Sequence, residues 1–129
     1  MNLDLGKISV SVSDTCISIY WVENLGHNAC VESDQIIPNH WMITRALVRP
    51  DGYRNQGLGS HLLKILIEEI KKKKGKSILV TPGGYDGETE KQFRFYEKNG
   101  FITPKQDQIP AVFDITKQEH LNQTRIFLL

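Results

Sequence analysis

The chain has 129 residues, 40% hydrophobic and 24% charged, and its sixteen basic and fifteen acidic side chains leave a formal net charge of +1. That balance gives no electrostatic ground for a nucleic-acid partner or a membrane surface, and no apolar run reaches the ~18 residues that a bilayer crossing needs. The two cysteines, Cys16 and Cys30, are too few for a disulfide framework and lack metal-ligand spacing, so both are expected as reduced, partly buried thiols.

Residues 7–13 (KISVSVS) alternate, with Ile8, Val10 and Val12 on one face and Ser9, Ser11 and Ser13 on the other. Period-two alternation predicts a half-buried strand. Asp14-Thr15 reads as a turn, and residues 16–22 (CISIYWV), rich in β-branched and aromatic side chains, read as a second strand. The segment from Asn24 to Asn28, with Gly26 inside it, predicts another turn, followed by a short strand over 29–33. Pro38 and Asn39 break the chain before residues 41–48 (WMITRALV), the best candidate for a central strand. To this point the pattern is an antiparallel meander.

From Gly57 to Lys74 the period changes: Leu58, Leu62, Ile65, Leu66 and Ile70 recur at helical spacing, widened by Leu63 and Ile67. The lysines of 71–76 suit the negative end of that helix, and Gly75 is expected to stop it. Residues 77–81 (SILVT) form a short apolar strand that, across a helix, should run parallel to 41–48 in a right-handed crossover. A loop over 82–87 (PGGYDG) leads to a second helix over 88–99, ended by Asn99-Gly100. Residues 101–105 and 125–129 are the last strand candidates, and 111–115 offers one more. Without a repeat or linker, 1–129 is expected to be one domain.

Chemistry concentrates in residues 48–63, where a strand ends at Val48 and a helix opens near Gly57. The first amides of a helix lack intrahelical partners and sit at its positive end, which suits an anion. Gly57 and Gly59 remove side chains from the approach, while Arg54 and Gln56 add donors. The plain alternative is a tight turn that needs glycine for geometry alone. A nucleotide phosphate loop fails, since Leu58 and Gly59 stand where its lysine and metal-binding hydroxyl belong. The dinucleotide fingerprint fails too, because Leu62 replaces its third glycine.

Arg54-Asn55-Gln56-Gly57-Leu58-Gly59 matches the pattern [RQ]-x-x-G-x-[GA], and residues 92–101 read QFRFYEKNGF. Together these segments resemble the two functional motifs of the GNAT superfamily of N-acetyltransferases, which implies an α/β (α+β) acyl-CoA N-acyltransferase fold. Such a fold has a mixed, mostly antiparallel sheet, two core helices and a central parallel pair splaying apart after Val48. The resemblance implies acetyl-CoA as cosubstrate, no metal, and transfer to a primary amine by direct attack. The acceptor is a small molecule or a protein lysine or N-terminus. Arg54, Asn55, Gln56, Gly57, Leu58, Gly59 and Ser60 would hold the pyrophosphate, and the backbone of Leu47 and Val48 would pair with the pantetheine. Tyr96 would protonate the departing thiolate. Its plainer role is a packed interfacial ring.

The family's glutamate on the central strand falls at Arg45, and a coenzyme-contacting asparagine seven residues before Tyr96 falls at Thr89. The base is therefore left open among Glu23, Glu32, Asp34, His27 and His40, acting through water, or the amine arrives neutral. A catalytically silent, coenzyme-binding regulatory or interaction module is the alternative reading. The two helices that members usually insert before the central strand do not fit in residues 24–40, so an open acceptor side is expected. The N-terminal segment has no signal-peptide pattern, and a cytoplasmic location is expected. A homodimer is compatible with the family; a membrane or nucleic-acid partner is not expected.

Overall fold

The computed structural model describes residues 7–24, 27–49, 57–82, 88–110 and 122–129. Its strands are β1 (Ile8–Val12), β2 (Cys16–Asn24), β3 (His27–Ile37), β4 (His40–Arg49), β5 (Ser77–Val80) and β6 (Arg125–Leu128). Helix α1 (Leu58–Lys72) links β4 to β5, and α2 (Glu88–Lys98) follows β5. The six strands form one sheet in the order β1-β2-β3-β4-β5-β6, antiparallel except for the parallel β4–β5 pair. This is the expected mixed sheet with its crossover helix.

Side-chain alternation decides which face is covered. Ile17, Ile19 and Trp21 of β2, Ala29, Val31 and Ser33 of β3, and Trp41 and Ile43 of β4 are buried on one face. Leu58, Leu62, Leu63, Leu66, Ile67 and Ile70 of α1 supply the opposing layer of this core. Burying each such leucine is worth roughly 1.5–3 kcal/mol, so the amphipathic stripe, more than helix propensity, holds α1 in place. Tyr96 of α2 and Phe101 beyond it join the same cluster. On the edge strand β1, Val10 and Val12 are each 44% exposed, more open than alternation alone suggests.

Several expectations need correction. The third strand runs from His27 to Ile37, not over 29–33, because Asp34 and Gln35 are paired on both sides, with Cys16 and Thr15 toward β2 and with Met42 and Trp41 toward β4. Residues 101–105 are not a strand: only Ile102 bridges, to Ile126, and Pro104 two residues later has no N–H to extend a ladder. Helix α1 is closed by Lys74, which takes the left-handed conformation (φ 61°). Gly75 instead allows close approach, since a Cβ there would lie 2.3 Å from Ile70 Cγ2. Gly100 does end α2 in the left-handed region (φ 96°), with the Phe101 amide bonded to the Tyr96 carbonyl. The strand candidate at 111–115 lies outside the described residues.

The parallel pair separates earlier than expected. It is in register only at His40, Trp41 and Met42, opposite Ser77, Ile78 and Leu79. A bulge explains part of this. Glu32 faces Arg45 but Ser33 faces Ile43, so Thr44 is an extra residue on β4. Bulges bend the strand that carries them and increase its twist. The four-residue β5 also ends at Val80, while β4 continues to Arg49. Among the described residues, the β5-side edge of β4 from Ile43 onward therefore has no strand partner. No helix among the described residues is long and apolar enough to cross a membrane.

Candidate active site

The site begins where α1 begins. Gly57 is the N-cap, with φ 77° and ψ 6°, a left-handed conformation that costs other L-residues energy. Among the described residues no side chain caps the helix. The first bond of the helical series runs from the His61 amide to the Gly57 carbonyl at 2.9 Å, which leaves the amides of Leu58, Gly59 and Ser60 ahead of it. A Cβ at Gly57 would meet nothing within 4 Å, so the space beside this residue is open among the described residues. Partial positive charge, with donors and space that no described residue fills, makes an anion cradle.

The two glycines have different tasks. Gly57 is needed for its backbone angle. Gly59 is needed for contact, because a Cβ there would lie 3.3 Å from Phe95 Cε1 and 3.6 Å from Val48 Cγ2. That proximity brings the end of β4, the start of α1 and the end of α2 together. Asn99 completes the junction: its Nδ2 donates to Ser60 Oγ at 3.1 Å and to the Phe95 carbonyl at 2.8 Å. Leu58 turns its side chain into the core, 1% exposed, so only its main chain is available to a ligand. Leu47 and Val48 lie on the stretch of β4 beyond the parallel pairing, bonded to β3 opposite Cys30 and Ala29. Arg54, Asn55 and Gln56 lie outside the described residues.

Tyr96 is 4% exposed and packed edge-on between Phe95 (centroids 5.0 Å apart) and Phe101 (5.3 Å). Burial pushes its pKa up to about 12. Among the described residues its hydroxyl has no hydrogen-bond partner. It is a phenol that stays protonated at neutral pH and whose O–H, among the described residues, is not committed to an acceptor.

The candidate bases separate clearly. His40 lies at the start of β4, far along the strand from Leu47, with Nδ1 2.6 Å from Ser77 Oγ. Burial, with nearby Lys76 adding to it, lowers its pKa. Glu23 is exposed at the end of β2 and Asp34 is exposed on β3. Glu32 is half-buried, its Cα in register with Arg45, and Tyr20 Oη donates to its Oε1 at 2.8 Å. That bond raises the Tyr20 pKa more than any other influence. The pKa and surroundings of His27 lie outside the described side chains. Among the described residues no group of three or more His, Cys, Asp or Glu is placed to hold a metal.

Sequence reading missed Tyr20 and Asn99. The signal for Tyr20 was present: it alternates out of phase with Ile17 and Ile19, and so falls on the same face as Glu32. Asn99 was read only as a helix end, and its bond to Ser60 depends on a tertiary contact.

Known proteins bear on this arrangement. No curated protein matches the chain. Among solved structures, an acetyltransferase of the GNAT family from Staphylococcus aureus is 22% identical, with a TM-score of 0.62 over 86% of this chain and 67% of that one. Tetrahymena GCN5 is 13% identical, with a TM-score of 0.65 over 88% of this chain and 68% of its own. A GNAT family acetyltransferase from Elizabethkingia anophelis with acetyl-CoA bound is 20% identical, with a TM-score of 0.62 over 89% and 77%. At these identities the likeness establishes the fold. The model of the acetyltransferase (GNAT) domain matches residues 16–103, more than half of the chain, and spans both β4–α1 and α2. The chain belongs to the GNAT acetyltransferase family.

Proposed function

We propose that residues 1–129 form a single acetyltransferase domain that binds acetyl-CoA and passes its acetyl group directly to a primary amine, on a small molecule or a protein. The observation that carries this is the start of α1, uncapped among the described residues, beside an edge of β4 that no described strand pairs. The amides of Gly57, Leu58, Gly59 and Ser60, with Arg54, Asn55 and Gln56 on the approach, would receive the pyrophosphate. The free edge at Leu47 and Val48 offers main-chain groups for the pantetheine amides, as a sheet edge does for an added strand. The GNAT structure from Elizabethkingia anophelis has acetyl-CoA bound, which supports a coenzyme site in this fold.

In the reaction a neutral amine attacks the thioester carbon, a C–N bond forms and the C–S bond breaks. Main-chain N–H groups near the end of β4 stabilise the oxyanion. Tyr96 acts as acid toward the departing sulfur by donating a hydrogen bond to it. With the phenol at about 12 and a thiol near 8.5, complete transfer from Tyr96 is uphill by about 5 kcal/mol. The proton that ends on sulfur then originates on the nitrogen of the tetrahedral intermediate. Reduced Cys16 and Cys30 fit a cytoplasmic setting.

Calorimetric titration with coenzyme A tests the reading, with Gly57→Glu as control. Wild type should bind, and the variant, with a carboxylate in the cradle, should not. Absence of heat with wild type at concentrations far above typical affinities sinks the proposal.

A further inference from the structure

The sheet face opposite α1 carries a second feature that the coenzyme site does not use. An open groove of about 210 Å³ is lined by Tyr20 and Val22 of β2, Asn28 and Cys30 of β3, and Arg45 and Leu47 of β4. Leu47 also belongs to the unpaired stretch of β4, so the groove and the proposed thioester path meet at one strand from opposite sides. Glu32 follows Cys30 by two residues on β3 and therefore stands on the same face, about 7 Å along the strand. Tyr20, which forms the groove wall, holds one oxygen of this carboxylate at 2.8 Å. Among the described residues Glu32 makes no ion pair, even with Arg45, its register partner. Its second oxygen has no partner there either.

An acceptor amine with a pKa near ~10.4 enters as an ammonium ion and cannot attack until it loses a proton. A carboxylate with one oxygen fixed and the other available can attract that cation and take the proton. Resting on the acetyl-transfer reading above, we propose that this groove admits the acceptor as a primary ammonium and that Glu32, positioned by Tyr20, is the base that deprotonates it. The proton passes from nitrogen to Glu32 and then to water. The freed nitrogen pair forms the C–N bond, the C–S bond breaks, and the second nitrogen proton ends on sulfur. One ammonium and one thioester give one amide, one thiol and one proton. The charged or titratable groups that face Glu32 among the described residues are Tyr20 and Cys16 from β2, Cys30 and Asp34 from its own strand, and Arg45 from β4.

The test compares wild type, Glu32→Gln and Tyr20→Phe in two measurements: calorimetric titration with coenzyme A, and acetyl transfer to a capped lysine peptide, spermidine and tyramine across pH. Glu32→Gln should bind the coenzyme as wild type does. Its kcat/KM should fall about 10²–10⁴-fold at neutral pH, with the deficit shrinking as pH approaches the amine's own pKa. Tyr20→Phe, which removes a donor to the carboxylate, should move the rising limb of the profile toward higher pH and leave its plateau in place. A Glu32→Gln variant that binds coenzyme and keeps the wild-type profile overturns the assignment. So does a wild type that binds coenzyme yet acetylates none of the three amines. Failure of wild type to bind coenzyme removes the acetyl-transfer reading itself, and the calorimetric arm identifies that case.

Discussion

Replacing Tyr96 with phenylalanine removes one oxygen from a ring that is otherwise packed against Phe95 and Phe101. Because that hydroxyl has no partner among the described residues, stability near pH 7 should change by less than about 1 kcal/mol. Alkaline pH separates the two proteins. The folded phenol has its pKa raised from 10.0 to about 12. An acid whose folded pKa is raised contributes stability that is complete below the unfolded value and lost as pH climbs through the folded one. Two units correspond to about 2.7 kcal/mol, lost by wild type between about pH 10 and pH 12 and not by the variant. For a chain of 129 residues that is about 10 °C in melting temperature. Lysine and arginine titration is common to both proteins and cancels in the difference. Melting both across this range measures it, and parallel curves above pH 10 would refute the reasoning. Transfer by the variant should meanwhile slow roughly 10- to 150-fold, the worth of one hydrogen bond to a charged group. A protein equally stable at neutral pH yet slower cannot owe its defect to packing.

Two further outcomes follow from the cradle and its supports. Gly57→Ala should cost about 1–2 kcal/mol, or about 4–7 °C, because the added Cβ meets no atom and only the left-handed backbone is strained. Gly57→Asn should recover part of that loss, and equal melting of the alanine variant and wild type would contradict the backbone argument. Asn99→Ala deletes the bonds to Ser60 Oγ and the Phe95 carbonyl and should cost about 1–2 kcal/mol of stability. Ser60→Ala combined with it in a double-mutant cycle should show coupling, and strict additivity would mean that the junction does not act as a unit.

Much of the fold was legible because one rule at a time governed each segment. Alternation marked β1 and β2, helical spacing marked α1, and the Pro38-Asn39 break is a turn in which Asn39 takes φ 71°. The errors arose where pairing outweighed local preference. Asp34 and Gln35 look like loop residues, yet neighbours on both sides hold them in β3. Residues 101–105 look like a strand, yet Phe101 leaves the sheet to pack against Phe127 and Tyr96. Within the site, the glycine turn and Tyr96 were visible in the sequence as motifs. What no local pattern could provide was their junction, the approach of Phe95 to Gly59 and of Asn99 to Ser60, since residues almost forty positions apart create it. Glu32 was one of five equal candidates until register placed it beside Tyr20 and Arg45.

Thr44 decides what an insertion or deletion in β4 would do. Counting inward-facing positions from Trp41 and Ile43 in steps of two would send Arg45 and Leu47 under α1 and turn Ala46 and Val48 outward. The extra residue resets the count, so Val48 backs onto the hydrophobic cluster and Arg45 remains with solvent. Losing that one position would join Ile43 directly to Arg45 in a regular ladder, keep the inner and outer sets as they are, and remove only the local bend and twist. A relative one residue shorter along this strand can therefore keep both faces by lacking the bulge, whereas a residue lost beyond it would turn the remaining side chains over.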